Sequence, residues 1–176
     1  MIFIKSNDDF NLRNIIFLLN QKKLSLVKEK SAKYFFDLEL IFDDKNLKII
    51  TASETIILKL PLSIEYFFSE VKNLFINKFI SIKDFDYAPV KQSIIYKEKV
   101  INLNYIHNII TANLILNIEK GIDKFFLYKL IWPNDKDIQI NKLDTHITNL
   151  KNKVSNELNI DLKIISSSGV LKLIID

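Results

Sequence analysis

Two histidines, no cysteine and scattered acids are what this chain offers for chemistry at neutral pH. Without cysteine there is no thiolate nucleophile, no thiolate metal site and no disulfide framework. His107 and His146 alone do not make a histidine-based zinc site, so neither a metal nor a cofactor is expected. There is no nucleotide-binding glycine loop and no Gly-x-Ser-x-Gly in a chain with only two glycines, which opposes an enzyme. What remains is recognition. The run INKLDTHITNLKNKVSNEL, residues 140 to 158, carries Lys142, Thr145, His146, Thr148, Asn149, Asn152 and Lys153 on one side. These hydroxyls, amides, imidazole and ammonium groups can donate to phosphates and base edges, and only Asp144 and Glu157 are acids. Residues of these types predict a helix that reads DNA, the plainer alternative being a solvated amphipathic face.

Such a face needs an apolar stripe behind it. Leu143, Ile147, Leu150, Val154 and Leu158 recur at helical spacing and supply one. A chain of 176 residues makes one large domain or two small ones, with enough apolar content for a core in each. No stretch reaches the roughly eighteen uninterrupted apolar residues of a membrane span, and MIFIKSNDDF does not read as a secretory leader. The expectation is a soluble, cytoplasmic protein. Net charge is +4 with pI near 9.0, which permits a polyanionic partner without demanding one. The cations are almost all lysine, Arg13 being the only arginine, and over the C-terminal part acids and bases nearly balance. Any attraction to DNA must come from how charge is distributed.

In chain order, residues 2–5 predict a strand, followed by a helix through about Lys22 capped by Asn7, Asp8 or Asp9, with Leu12, Ile15, Ile16 and Leu19 on one face. Strands are predicted at 24–27, 36–42, 47–51 and 55–60, and a helix from Pro61 and Ser63 to about Phe79. Residues 79–104 alternate apolar and polar positions between turn signals, predicting a small antiparallel meander. A helix from about Asn104 to Asn117 follows, with Gly121 where a positive φ is useful, then Asp123 capping a helix from Lys124 to Trp132 that Pro133 stops. The loop PNDKDIQ leads to the helix at 140–158, and LKIISSSGVLKLII predicts a terminal hairpin with Gly169 at its tip.

The N-terminal order, residues 1–78, resembles a shortened α/β response-regulator receiver domain. The resemblance fails where a receiver does its chemistry. Ser6 and Asn7 follow the first strand, with Asp8 and Asp9 displaced, and the acceptor column falls on Phe42 beside Asp43. Leu60, not lysine, precedes Pro61. Acyl phosphate chemistry needs carboxylates for Mg²⁺ and a cation on the phosphoryl group. The reading is a pseudo-receiver in which no phosphorylation is expected, Asp43 being the weak candidate.

Residues 79–176 read as an α+β domain that resembles the winged helix-turn-helix of OmpR/PhoB-type transcriptional regulators. The carrying residues are FDYAPVKQSIIYKEKVINLN, the block GIDKFFLYKLIW, the run NKLDTHITNLKNKV and the hairpin around Gly169. The resemblance implies a third helix in the major groove, a preceding loop able to touch RNA polymerase, and a wing at the adjacent minor groove or backbone. Position by position it implies Thr145, His146 and Asn149 at base edges or nearby phosphates. It puts Asn141, Lys142, Thr148, Lys151 and Lys153 on the backbone, and Ser166, Ser167 and Ser168 at the wing. Thr148 and Asn149 stand where the family is usually basic, and Ser166 where its wing has arginine. With no arginine in the domain, weaker affinity and a preference for A·T-rich sites follow, Asn149 being able to read adenine. Each residue also has a plainer reading: His146 could bond Asp144 or nearby backbone, Lys151 and Lys153 could be a solvated face, and the serines are first of all turn formers. Trp132 is expected in the core between helices, and His107 on the exposed side of its helix.

The function expected is therefore a phosphorylation-independent regulator binding double-stranded DNA, working as a homodimer on a repeated half-site. The alternative is a protein-interaction module that docks on RNA polymerase or another regulator.

Overall fold

The computed structural model describes residues 1–21, 26–28 and 33–175. It divides into two compact units, Met1–Lys78 and Phe79–Asp176.

The first unit holds β1 (Ile2–Ser6), α1 (Asp9–Gln21), β2 (Leu26–Val27), β3 (Phe36–Phe42), β4 (Asn46–Ile50), β5 (Thr55–Lys59) and α2 (Ile64–Ile76). The remainder of the strand predicted at 24–27, and the end of the helix predicted to Lys22, lie outside the described residues. The sheet order is β2-β1-β3-β4-β5, the order of one doubly wound family. Directions differ from such a sheet. β1 is parallel to β2 and β3, whereas β4 is antiparallel to both β3 and β5. The cause is the connection: a parallel return needs a crossover of a dozen residues or so, and residues 43–45 allow only a tight reversal. β1 is buried along Ile2, Phe3 and Ile4, as parallel strands are, while β4 alternates with Leu47 and Ile49 inside. Leu12 and Leu19 of α1 and Phe67, Val71, Leu74 and Phe75 of α2 complete this core. Ser63 caps α2, its hydroxyl accepting from the Tyr66 N–H at 3.1 Å. The Leu60–Pro61 bond is cis.

The second unit opens with an antiparallel four-stranded meander, β6 (Ile80–Ile82), β7 (Phe85–Ala88), β8 (Ser93–Tyr96) and β9 (Lys99–Asn102). There follow α3 (Tyr105–Leu116), β10 (Ile122–Asp123), α4 (Lys124–Ile131), α5 (Ile140–Leu158), β11 (Ile164–Ser167) and β12 (Val170–Leu173). Asn104 and Asp123 cap α3 and α4 through their side chains. Three helices pack pairwise, α3 with α4 and both with α5, and a second sheet of order β10-β12-β11 lies beside them. α3 is buried nearly all round, including His107, Thr111 and Asn113. Tyr87 is fully enclosed and donates to Asn108 Oδ1 at 2.7 Å, joining the meander to α3.

β10 is absent from the sequence reading. Ile122 pairs with Leu171 and Asp123 with Val170, so the hairpin acquires a third strand. Gly121, just before it, has φ +75°, and a Cβ there would sit 2.6 Å from Val170 Cγ1 and 2.7 Å from the Leu171 carbonyl oxygen. Both its conformation and its lack of a side chain are required at this crossing. No helix among the described residues is long and apolar enough to cross a membrane.

Candidate nucleic-acid interface

The face of interest is built on α5. Leu143, Ile147, Leu150, Val154 and Leu158 are all buried, which fixes the rotation of the helix about its axis. At about 100° per residue the opposite side is then centred on Asn141, Thr145, Thr148, Asn149, Asn152 and Asn156, and each of these is exposed. The stripe's two borders carry the charged groups, with Lys142, Lys153 and Glu157 beside His146 on one and Asp144 and Lys151 on the other. All of these but the exposed Glu157 are half-buried. A sequence that reads simply as a polar face thus resolves into an uncharged amide and hydroxyl centre bordered by three lysines and two acids.

Several of the predicted contact groups already have partners. Thr145 donates to the Asn141 carbonyl at 2.9 Å and Thr148 to that of Asp144 at 3.0 Å. With its one proton used on the helix backbone, each hydroxyl can accept, as from an adenine or cytosine amino group, but does not donate to phosphate in this rotamer. Lys142 lies 3.0 Å from Asp135 and 4.2 Å above the Trp132 ring. Asp135 also accepts from the Tyr128 hydroxyl at 2.7 Å, and its carbonyl accepts from Lys129 at 2.7 Å, so one residue staples the loop between α4 and α5. The Tyr128 hydroxyl bond and Lys142 hold the Asp135 carboxyl below its usual range. Lys124 pairs with Asp144 at 2.6 Å, tying α4 to α5, and Lys153 stands 3.8 Å from Glu157. Lys151 has no ion pair among the described residues. α5 starts without a side-chain cap at Gln139 and without an acid in its first turn, leaving that end electropositive.

Two expectations are corrected here. His107 is not on an exposed side: only 6% of it is accessible, because α3 is enclosed nearly all round, its polar Thr111 and Asn113 included. Trp132 is half-buried and outside the buried core, since as the C-cap of α4 it sits at the helix end, its ring tilted against Tyr128 at 4.7 Å and against His146 at 5.6 Å. His146 is consequently half-buried between Trp132 and His107, whose ring is 5.9 Å away edge-on. Sequence reasoning missed this aromatic row. The spacing of Tyr128, Trp132, Lys142 and His146 around one helix turn and a short loop was the available signal.

The hairpin presents Ser166 and Ser167 of β11, both exposed, and turns through Ser168 and Gly169 with φ +49° and +79°. Two positive φ values in a two-residue loop are the twist that a tight hairpin needs. Across the first unit, Asp43 closes the turn between β3 and β4. Its Oδ1 accepts from the Lys45 and Asn46 N–H groups at 2.9 and 2.7 Å. Asp8 accepts from the Asn11 N–H at 3.0 Å at the start of α1, and Asp9 pairs with Arg13 and Lys28. Each of these three acids thus holds local backbone or a neighbouring cation.

No protein-family model matches the chain, and no curated protein matches it. A solved structure described as a novel family of redox sensors in the streptococci, evolved from two-component response regulators, is similar over 98% of both chains. Identity is 12% and the TM-score 0.43.

The Asp43 turn supports a prediction about acid stability. The Lys45 N–H bond, then that of Asn46, keeps the folded carboxyl below its ordinary value. A lowered folded value means the bond's contribution is complete above the ordinary carboxylate range and is lost as pH falls through the folded value. Asp43→Asn keeps an acceptor without the charge, so the acid-side fall in melting temperature should be shallower in the variant between about pH 4 and 2. Scanning calorimetry of both proteins across that range checks this, and identical slopes would contradict it.

Proposed function

We propose that this chain is a sequence-specific double-stranded DNA-binding transcriptional regulator whose C-terminal unit acts as a winged helix, with α5 in the major groove and the β11–β12 hairpin as the wing. The observation that carries this is the exposed face of α5. Its amides and hydroxyls can read base edges, and cations border it at Lys142, Lys151 and Lys153. Asn149 is the residue suited to bidentate contact with adenine, and the absence of arginine from this unit removes the usual reader of guanine. Ser166 and Ser167 serve the wing. The regulator works as a homodimer and without phosphorylation, Asp43 being committed to its turn.

A second reading, a module that docks on RNA polymerase or another regulator, is favoured by one feature. Phe125, Phe126 and Leu130 of α4 are 55%, 60% and 42% exposed. Clustered apolar surface of this kind is common at protein interfaces.

The two separate on salt. Selection of the full chain against a random duplex library should enrich an A·T-rich motif. Affinity should fall steeply as salt rises, with a slope of about −0.9 per phosphate contact. Lys151→Ala/Lys153→Ala/His146→Ala should abolish retention while leaving circular dichroism unchanged. No retention at low salt by the folded wild-type protein would overturn DNA binding in favour of the docking module.

A further inference from the structure

His107 and His146 are the only imidazoles in the chain, and the fold brings them together from helices 39 residues apart in sequence position 107 to 146. His107 is buried on α3, and its Nδ1 has no hydrogen-bond partner among the described residues. The His146 ring stands edge-on to it at 5.9 Å, on the border of the α5 face, with Trp132 at 5.6 Å on its other side. We infer that these two rings form a proton-linked unit: it takes up a single proton when α5 engages a polyanion, so that DNA binding tightens as pH falls. This rests on the DNA-binding reading above.

α3 and α4 contain no acid. β9 and β12, which pack against α5 and α3, bring only Lys99 and Lys172 as charged groups. α5 itself adds Lys142, Lys151 and Lys153 with Asp144 and Glu157, and the loop adds Asp135, Lys136 and Asp137, while Tyr128 is buried beside Trp132. Three of these four acids are matched to a lysine, Asp135 to Lys142, Asp144 to Lys124 and Glu157 to Lys153, and Asp137 is exposed. At a centroid separation of 5.9 Å a charge on one ring disfavours a charge on the other.

The environments decide where that proton goes. Burial first, then His146 and Lys153, hold His107 below its ordinary value, so His107 is the neutral partner. His146 keeps access to solvent and has the Trp132 ring within the roughly 6 Å over which an aromatic face attracts a cation. A charged His146 extends the cationic border formed with Lys142 and Lys153. Phosphates laid along that border favour the protonated form, and by reciprocity protonation favours the phosphates by the same factor. His107 is then a positioning residue, acting through the ring it presses against.

The test is anisotropy of the full chain with a fluorescent duplex from pH 8 to 5.5 at constant ionic strength. A phosphate-induced change of one pKa unit corresponds to about a tenfold gain in affinity across the titration. Wild-type Kd should fall by about that factor, and His146→Gln should bind with a flat profile. His107→Phe, which keeps a ring against His146 without its titration, should retain the dependence with a displaced midpoint. Calorimetry of the wild-type protein in two buffers of different ionisation enthalpy should show net proton uptake on binding, a readout that needs no variant. Binding that is independent of pH, with no proton uptake, overturns this inference and leaves the DNA reading standing. A wild-type profile shared unchanged by His146→Gln does the same. Absence of binding at every pH overturns the DNA reading, and this inference with it.

Discussion

Leu150→Ala is expected to destabilise the Phe79–Asp176 unit by about 3 kcal/mol, within the range for emptying a well-packed leucine site. Leu150 is wholly inaccessible and lies at the middle of the buried stripe of α5, so its removal leaves a void between α5 and its helical neighbours instead of a gap that water can fill. For a unit of this size, each kcal/mol corresponds to about 4–8 °C in Tm, so the transition should fall by more than 10 °C or so. The chain has one tryptophan, Trp132, and it belongs to this unit, so urea unfolding followed by its fluorescence reports the right transition. An unchanged midpoint would contradict the packing described. Because the stripe also sets the rotation of α5, the proposed function implies that the variant loses DNA affinity before it unfolds, by a larger factor than a surface change at Asn152.

Gly121→Ala is the second change expected to be severe. The new Cβ meets the Leu171 carbonyl oxygen at 2.7 Å, a backbone atom that can move only by disturbing the pairing of β10 with β12. The φ of +75° adds conformational strain of order 1 kcal/mol for any residue with a side chain. Together these should cost about 2–4 kcal/mol. Gly169 is the internal control. It has a similar φ of +79° but nothing within 4 Å of a Cβ, so Gly169→Ala should show the conformational part alone, about 1 kcal/mol. Equal destabilisation by the two substitutions would show that the close approach at Gly121 relaxes freely.

How much of this was legible in the sequence depends on whether an element has two different sides. α5 was readable to the residue because its five buried positions and its amides sit on opposite faces, and the period of the pattern marks both ends. β1, β3, β4 and β5 were placed within about one residue by apolar runs set between polar turns. α3 defeated the same logic. A helix enclosed on every side carries no amphipathic period, and assigning its lone histidine to solvent followed from residue type alone. The two residues of β10 are too few to show any alternation and read only as a helix cap. The direction of β4 was not inferred, although the three residues before it forbid a crossover. At the candidate interface the residue types on α5 were visible, but their commitments were not. That Lys142 answers to Asp135, or that Thr145 and Thr148 spend their protons on the helix, depends on rotamers and loop geometry which no spacing rule encodes.

Asp123 belongs to two elements at once: it faces Val170 across the small sheet, and its carboxylate accepts the Phe126 N–H that begins α4. The Lys124 N–H, one residue on, donates to the Gly169 carbonyl at the hairpin tip. Hairpin and helix are therefore one solid part with no joint between them. Their spacing is set when the unit folds, so a partner that grips both finds them already in register and loses little conformational entropy in doing so. The same construction means that a pull on the hairpin is felt at the start of α4, and through the bond between Lys124 and Asp144 at α5 as well.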